Sequence, residues 1–110
     1  MEAGKFRERV TIQVPREVRS TLGETTLVWE DVATVWANVY AYSGRDVLQA
    51  MQVNMIITHK VYMRFREGLT PEHRLLWRGR TLEITAVMER PSSWGREDRA
   101  VLEIMTREKQ

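Results

Sequence analysis

The chain of 110 residues contains no cysteine, which excludes disulfides and thiolate metal sites and fits a reducing compartment. No apolar run approaches the roughly 20 residues that a membrane-spanning helix needs. The first residues, MEAGKFRERV, are charged from the second position and lack the apolar stretch of a signal peptide. We therefore expect synthesis in the cytoplasm and no membrane partner.

Catalytic groups are also scarce. The two histidines, His59 and His73, have no nearby cysteine or carboxylate spacing that would suggest a metal cage. His59 falls on the apolar face of a strand and is expected to be packed or partly exposed, whereas His73 falls in a surface loop. The serines lie in no nucleophile elbow, and no glycine-rich phosphate loop is present. The sequence argues against an enzyme and predicts no catalytic residue, no cofactor and no metal.

What the chain does have is an ordinary globular composition, with 43% hydrophobic and 29% charged residues, so we expect a single domain over residues 1–110. The formal net charge is only +2, and most basic residues are arginines with acidic neighbours. Interspersed charge of this kind is typical of solvated faces or protein–protein salt bridges rather than of a dedicated nucleic-acid surface.

Hydrophobic alternation with a period of two predicts strands along most of the chain. We predict that the first strand ends before Pro15, that a long loop covers residues 14–25 and that Glu30 and Asp31 break the next short run. Ser43 is the predicted N-cap of the one short helix. The predicted strands cover residues 6–13, 26–29, 34–42, 55–66, 74–78, 82–88 and 101–106, the helix covers 43–51, a tight turn covers 79–80 and a flexible connection covers 90–98.

Such patterning favours an all-β (mainly) fold, a small antiparallel β-barrel of six to seven strands with one short helix and long loops. On the strand at 82–88 the expected apolar stripe is Leu82, Ile84, Ala86 and Met88. The predicted core consists of Val10, Ile12, Val35, Ala37, Val39, Val61, Met63, Phe65, Leu82, Ile84, Leu102 and Ile104.

The order of these segments resembles a known family. The opening AGKFRERVTIQVP, the stretch VWANV at 35–39, SGRDVLQA at 43–50 and VYMRFREGLTPEHRLLWRGRTLEITAV at 61–87 are similar to the phage head-tail joining proteins. These are the head-closure or stopper proteins of phages with long non-contractile tails. No single stretch is diagnostic, but their order and spacing over nearly the whole chain make the resemblance fairly specific. Asp46 stands where the family more often has glutamate.

The resemblance implies a virion protein of a phage or prophage that forms a ring below the portal and its adaptor. Its implied partners are the portal or adaptor connector proteins, a tail or tail-completion protein, copies of itself and the packaged double-stranded DNA in the channel. An isolated subunit is expected to be monomeric and to assemble on its partner ring.

Three groups of candidate residues follow from this resemblance. A loop contact with a neighbouring ring is expected through Arg16 and Arg19. The channel-facing or gating segment is expected within residues 43–55, and the alternative is that its helix caps the barrel through Val47, Leu48 and Met51. The candidate gating residues are Ser43, Gly44, Arg45, Asp46, Gln49, Gln52 and Asn54. The candidate subunit-interface face consists of Arg7, Arg9, Tyr62, Arg64 and Arg66.

Two other functions are open from the sequence. One is a tail-side terminator protein, which the sequence separates poorly from a head-closure protein. The other is an oligonucleotide-binding barrel, because Tyr62 to Arg66 and Trp77-Arg78 interleave aromatic and basic residues as single-strand binders do.

Overall fold

The structure, a computed structural model, describes residues 6–90 and 100–109. In this part of the chain six strands form a closed barrel in the order β1-β2-β3-β6-β5-β4, with every neighbouring pair antiparallel. The predicted fold class is confirmed. The elements are β1 (Glu8–Arg19), β2 (Thr25–Ala41), α1 (Gly44–Met51), β3 (His59–Arg64), β4 (Arg74–Trp77), β5 (Arg80–Arg90) and β6 (Val101–Glu108).

The barrel is filled by alternate residues of all six strands, as the period of two requires. The prediction that Phe65 belongs to the core is wrong: Phe65 lies just past the end of β3 and is 46% exposed. Leu75 was not predicted because β4 is too short to show alternation, yet it is fully buried. The buried cluster comprises Val10, Ile12, Ala37, Val61, Met63, Leu75, Leu82, Ile84, Leu102 and Ile104, with Val35 and Val39 partly buried against it.

Two irregularities in register change which side chains face the core. Ile12 pairs with Ala33 and Gln13 with Asp31, so Val32 is an extra residue in β2. In β5 the register shifts between Ile84 and Ala86. Beyond that shift Val87 packs against the core, and the predicted continuation of the apolar stripe through Ala86 and Met88 is wrong.

The predicted loop at 14–25 is instead the outer half of a β-hairpin. Residue pairs from Val14 with Glu30 to Arg19 with Thr25 extend the β1–β2 ladder, and a turn occupies residues 20–24. Pro15 does not end β1 because the strand has a second neighbour, β4, only at residues 11–13. An edge strand tolerates a residue without an N–H group. Strand β2 likewise continues through residues 30–31, which were expected to break it.

The remaining predicted connections fall as follows. Arg78 and Gly79 form the two-residue turn between β4 and β5, one position earlier than predicted, and both have positive φ (49° and 75°). Positive φ at both central residues is the requirement of a tight primed hairpin turn.

The predicted flexible connection at 90–98 lies outside the described residues except for Arg90, the last residue of β5. No helix in the described part of the chain is long and apolar enough to cross a membrane.

Candidate assembly surfaces

The hairpin arm, defined as residues 14–31, extends beyond the closed part of the barrel. Its two strands pair only with each other among the described residues. It exposes apolar side chains, with Val18 39%, Leu22 88% and Leu27 58% accessible to solvent. A two-stranded hairpin is marginal by itself in water. An exposed, partly apolar hairpin is therefore a surface suited to contact with another protein.

The base of the hairpin arm is fixed to the barrel by side chains. The guanidinium of Arg74 lies 4.1 Å from the ring centroid of Trp29. Arg74 Nε donates a hydrogen bond of 2.8 Å to Gln13 Oε1, and Gln13 Nε2 donates one of 2.7 Å to Asp31 Oδ1. These contacts join the first residue of β4 to Gln13 of β1 and to Trp29 and Asp31 of β2, so the direction in which the arm leaves the barrel is defined.

The predicted contact residues Arg16 and Arg19 lie on the arm and not on a loop. Arg16 forms a cross-strand ion pair with Glu30, with Nε and Oε2 2.6 Å apart and both side chains more than half exposed. Arg19 is exposed at the last pair of the ladder, opposite Thr25. Both side chains are accessible to a partner, and the partner itself stays a prediction.

The connecting segment, defined as residues 42–58 between β2 and β3, contains the helix predicted at 43–51. Ser43 is its N-cap, as predicted: Ser43 Oγ accepts from Asp46 N, and Asp46 Oδ2 accepts from Ser43 N at 3.4 Å. At the other end Asn54 has a φ of 60°, with Asn54 N donating to Met51 O and Met55 N to Ala50 O. This is the hydrogen-bond pair of a Schellman motif. Both helix ends are thus defined by local sequence.

The connecting segment does not close the end of the barrel in the predicted manner. Leu48 and Met51 are 64% and 56% exposed, so their predicted capping role is wrong, while Val47, the third predicted capping residue, is partly buried. Val53 and Ile56 are also more than half exposed. The candidate gating residues are all exposed on this segment: Ser43, Gly44, Arg45, Asp46, Gln49, Gln52 and Asn54.

The predicted interface arginines gather around one exposed tryptophan, and we call Arg7, Arg9, Trp36, Arg64 and Arg66 the arginine–tryptophan patch. The Arg9 guanidinium lies 4.5 Å from the Trp36 ring centroid. Two shallow concavities share Trp36 and Arg64, one reaching Arg7 and the other Arg66. Within residues 6–90 and 100–109 these arginines form no ion pair. The patch therefore offers several guanidinium groups, exposed beside Trp36, to an anionic partner.

Tyr62, the fifth residue of the predicted face, belongs to a different cluster. Its ring packs edge-on against Tyr40 with centroids 5.8 Å apart, and its hydroxyl donates to Glu103 Oε2 at 3.3 Å. Glu103 alternates with the core residues Leu102 and Ile104 and so lies on the outer face of β6, yet it is only 1% exposed. It also forms ion pairs with Lys60, at 3.0 Å between Nζ and Oε2, and with Arg90.

Ionisation in the Glu103 cluster is set by burial and by these partners together. Burial opposes the charged form of Glu103, but hydrogen bonds from Arg90 and Lys60 outweigh it and hold the Glu103 pKa below its usual value. Burial likewise opposes the charge of Lys60, but the hydrogen bond to Glu103 and the charge interactions with Tyr62, Glu103 and Tyr42 together outweigh it and raise the Lys60 pKa. Burial and the nearby Glu103 charge raise the Tyr62 pKa. The cluster joins β3, β5 and β6 on the outer wall.

Each of the two histidines contacts neighbouring groups of the fold. His59 is buried as predicted, with Nδ1 2.9 Å from Thr58 Oγ1 and its ring edge-on to Trp77, and burial lowers its pKa. His73 Nδ1 accepts a hydrogen bond of 3.3 Å from Thr70 N in the loop before β4. Trp77 Nε1 donates to Glu8 Oε1 at 2.8 Å. Trp77 and Tyr62 therefore belong to different side-chain clusters, the first with Glu8 and His59 and the second with Tyr40 and Glu103.

Comparison with known proteins identifies the family. The family model described as phage head completion protein matches residues 1–108. The head completion protein gp7 of Enterobacteria phage HK97 is 36% identical over 75 residues, which are 68% of this chain and 67% of gp7. The chain belongs to the phage head completion protein family, as the resemblance predicted. It is accordingly a structural component of the phage virion that acts in head closure.

Two solved structures share the fold. The solution structure of protein SF1141 from Shigella flexneri 2a has a TM-score of 0.74 and 30% identity, covering 98% of this chain and 96% of that one. A chain of the virion of a native gene transfer agent particle has a TM-score of 0.60 and 20% identity, covering 94% of both chains. The barrel is thus found, with nearly the same extent, in proteins of divergent sequence.

Proposed function

We propose that the protein is a head-tail connector that forms a ring below the portal and its adaptor. In this position it closes the DNA-filled head and provides the surface on which the tail docks. The family assigns the coarser role of head completion. The proposal goes beyond that role in three respects: the ring, the proteins on either side of it and the docking of the tail.

The observation that carries this proposal is the position of two exposed elements at opposite ends of one strand. Strand β2 has 17 residues, a length of roughly 55 Å at about 3.3 Å per residue. The hairpin arm contains its first residues, and the connecting segment with α1 follows its last. The molecule measures 53 Å along its longest axis. A barrel with exposed apolar side chains at both ends is suited to bridge two neighbours, one on each side.

The arginine–tryptophan patch lies between these two ends, on the outer wall formed by β1, β2 and β3. We assign it to contact with acidic side chains of an adjacent copy in the ring. Complementary charges at such a contact fix orientation and register more than they add affinity. Tyr62 supports this wall through Glu103 and is not assigned a contact of its own.

The connecting segment is our candidate for the part that faces the DNA channel. Its candidate gating residues are exposed, and its helix contributes no buried side chain to the barrel. Its ends are also close together, because Tyr42 N donates to Thr58 O at 2.9 Å. A segment with these properties can change position without unfolding the barrel.

The experiment is deletion of residues 44–52 in the encoding phage. We expect a folded barrel by circular dichroism and near-normal protein levels, with heads that lose packaged DNA or fail to join tails. The matched control is Val53→Ala, which changes an exposed side chain outside the candidate gating residues and retains the length of the segment. Deletion particles that retain DNA and carry tails would refute the gating role. An unfolded deletion variant would show that the segment is needed for the fold.

A further inference from the structure

The hairpin arm has two open edges, and these edges belong to different strands. Beyond Gln13, β1 has β2 as its sole described neighbour. On the other side, β2 meets β3 only from Ala37 onward, so Thr25 to Trp36 have no described neighbour there. Open edges present unpaired N–H and C=O groups that readily add another strand, and proteins usually shorten, charge or cover them.

The two strands of the arm carry opposite charge. In β1 the arm contains Arg16 and Arg19 against a single acid, Glu17. In β2 the arm contains Glu30 and Asp31 with no lysine or arginine, and Glu24 immediately precedes it. An edge of β1 therefore attracts an edge of β2, whereas two β2 edges repel each other.

We propose that the β1 edge of one hairpin arm pairs antiparallel with the β2 edge of the arm of the next copy. The inference rests on the ring proposed above and names the contact that joins its members. Pro15 lacks an N–H group, so the pairing on β1 falls on residues 16–19. On β2 it falls on residues 25–31, which contain no proline or lysine.

Symmetry supports a ring made in this way. The contact joins two different surfaces of the chain, so it is a head-to-tail contact. Repeating it by rotation about an axis parallel to the arms places the copies in a closed ring. Under that rotation each β1 lies antiparallel to the next β2, which continues the hairpin pattern of each copy. The exposed apolar residues then lie on the two faces of one continuous sheet: Val18 and Val28 share one face of the arm, and Leu27 lies on the other.

Cross-linking in assembled particles tests the contact, because the chain has no natural cysteine. Val18→Cys and Thr26→Cys variants are produced together, and the particles are treated with a short bifunctional thiol reagent. We expect a cross-linked dimer when both variants are present and at least about tenfold less when either is alone. The control pair is Val18→Cys with Glu89→Cys, which places the second thiol at an exposed position of β5.

The outcomes separate this inference from the proposed function. Particles that contain the chain but give no Val18→Cys to Thr26→Cys dimer above the control pair would refute the strand pairing and leave the connector role intact. Particles that lack the chain would refute the connector role, and the pairing with it. A dimer formed equally well by Val18→Cys alone would show a symmetric contact and also refute the proposed pairing.

Charge exchange provides a second, independent measurement. Arg16→Glu with Arg19→Glu makes both edges acidic, and we expect chain incorporation into particles to fall about tenfold or more. Adding Glu24→Arg and Glu30→Arg restores opposite charges, so the fourfold variant should assemble with itself but not with the wild-type chain. Glu30→Gln alone is the control, since it breaks the Arg16 ion pair but leaves β1 basic and the β2 edge acidic through Asp31. Normal incorporation of the doubly acidic variant would contradict the inference.

Discussion

Glu103 is the residue whose replacement tests most directly how the barrel wall is held together. Its carboxylate is 1% exposed and accepts from Lys60, Arg90 and the Tyr62 hydroxyl. Three strands meet at this side chain. Glu103→Gln preserves its size and removes its charge, so the substitution reports on the charged contacts rather than on a cavity.

The expected loss is about 2 kcal/mol in the free energy of unfolding. A hydrogen bond to a charged group contributes roughly 1.5–3 kcal/mol. The contact with Arg90 counts for less because half of the arginine side chain is exposed and water can replace its partner. For a domain of this size, 2 kcal/mol corresponds to a fall in Tm of about 10 °C, which differential scanning calorimetry measures directly.

The pH dependence gives this prediction a second measurement. Because the folded-state pKa of Glu103 is lowered, its stabilisation is present above the unfolded value of about 4.3 and is lost as pH falls through the folded pKa. The difference in stability between wild type and Glu103→Gln should therefore be full near neutral pH and shrink in strongly acidic solution. Urea unfolding of both proteins at several pH values, from neutral to strongly acidic, measures this difference in stability.

The matched control is Glu83→Gln on β5. Glu83 forms an exposed pair with Arg107 at 2.8 Å, with 41% and 52% of the two side chains accessible, so its loss should cost less than about 0.5 kcal/mol. If Glu103→Gln changes Tm by no more than Glu83→Gln does, the reasoning about the buried carboxylate is wrong. A double-mutant cycle with Lys60→Met should give a coupling energy of about 1 kcal/mol.

Two further predictions concern the core and the helix. Leu75→Ala should destabilise the barrel by about 3 kcal/mol because the side chain is fully buried, whereas Leu22→Ala, at 88% exposure, should leave urea unfolding unchanged. Equal effects of the two substitutions would contradict the assigned core. Ser43→Ala should weaken α1 by about 1 kcal/mol, seen as faster amide exchange of Val47, with the barrel's Tm unchanged because α1 buries no residue. A large fall in Tm would show that the helix supports the barrel.

Local signals in the sequence were sufficient for several parts of the fold. Period-two alternation identified Val10, Ile12 and Ile104 as core residues because a strand wall places every second side chain inside. The Ser43 cap was equally readable, since its hydrogen bonds involve residues within three positions. The family could be identified from ordered short motifs, although none of them describes a binding site.

The hairpin arm shows where local signals mislead. Pro15 was interpreted as the end of a strand, which would be correct for a strand with neighbours on both sides. The alternation of Val14, Arg16 and Val18, with a glycine-containing turn before TTLVW, was the signal for a hairpin. The bulge at Val32 has no comparable signal, because its position depends on how two distant strands align.

The sequence by itself determined the strand-rich barrel, most of its core, the capped helix and the family, because each depends on alternation, capping or motif order along the chain. Only the tertiary structure decided that Glu103 is buried, that the arginines surround Trp36 and that the arm has two open edges of opposite charge. These properties come from residues far apart in the chain that barrel closure brings together. Register and closure are collective, so no local pattern specifies them.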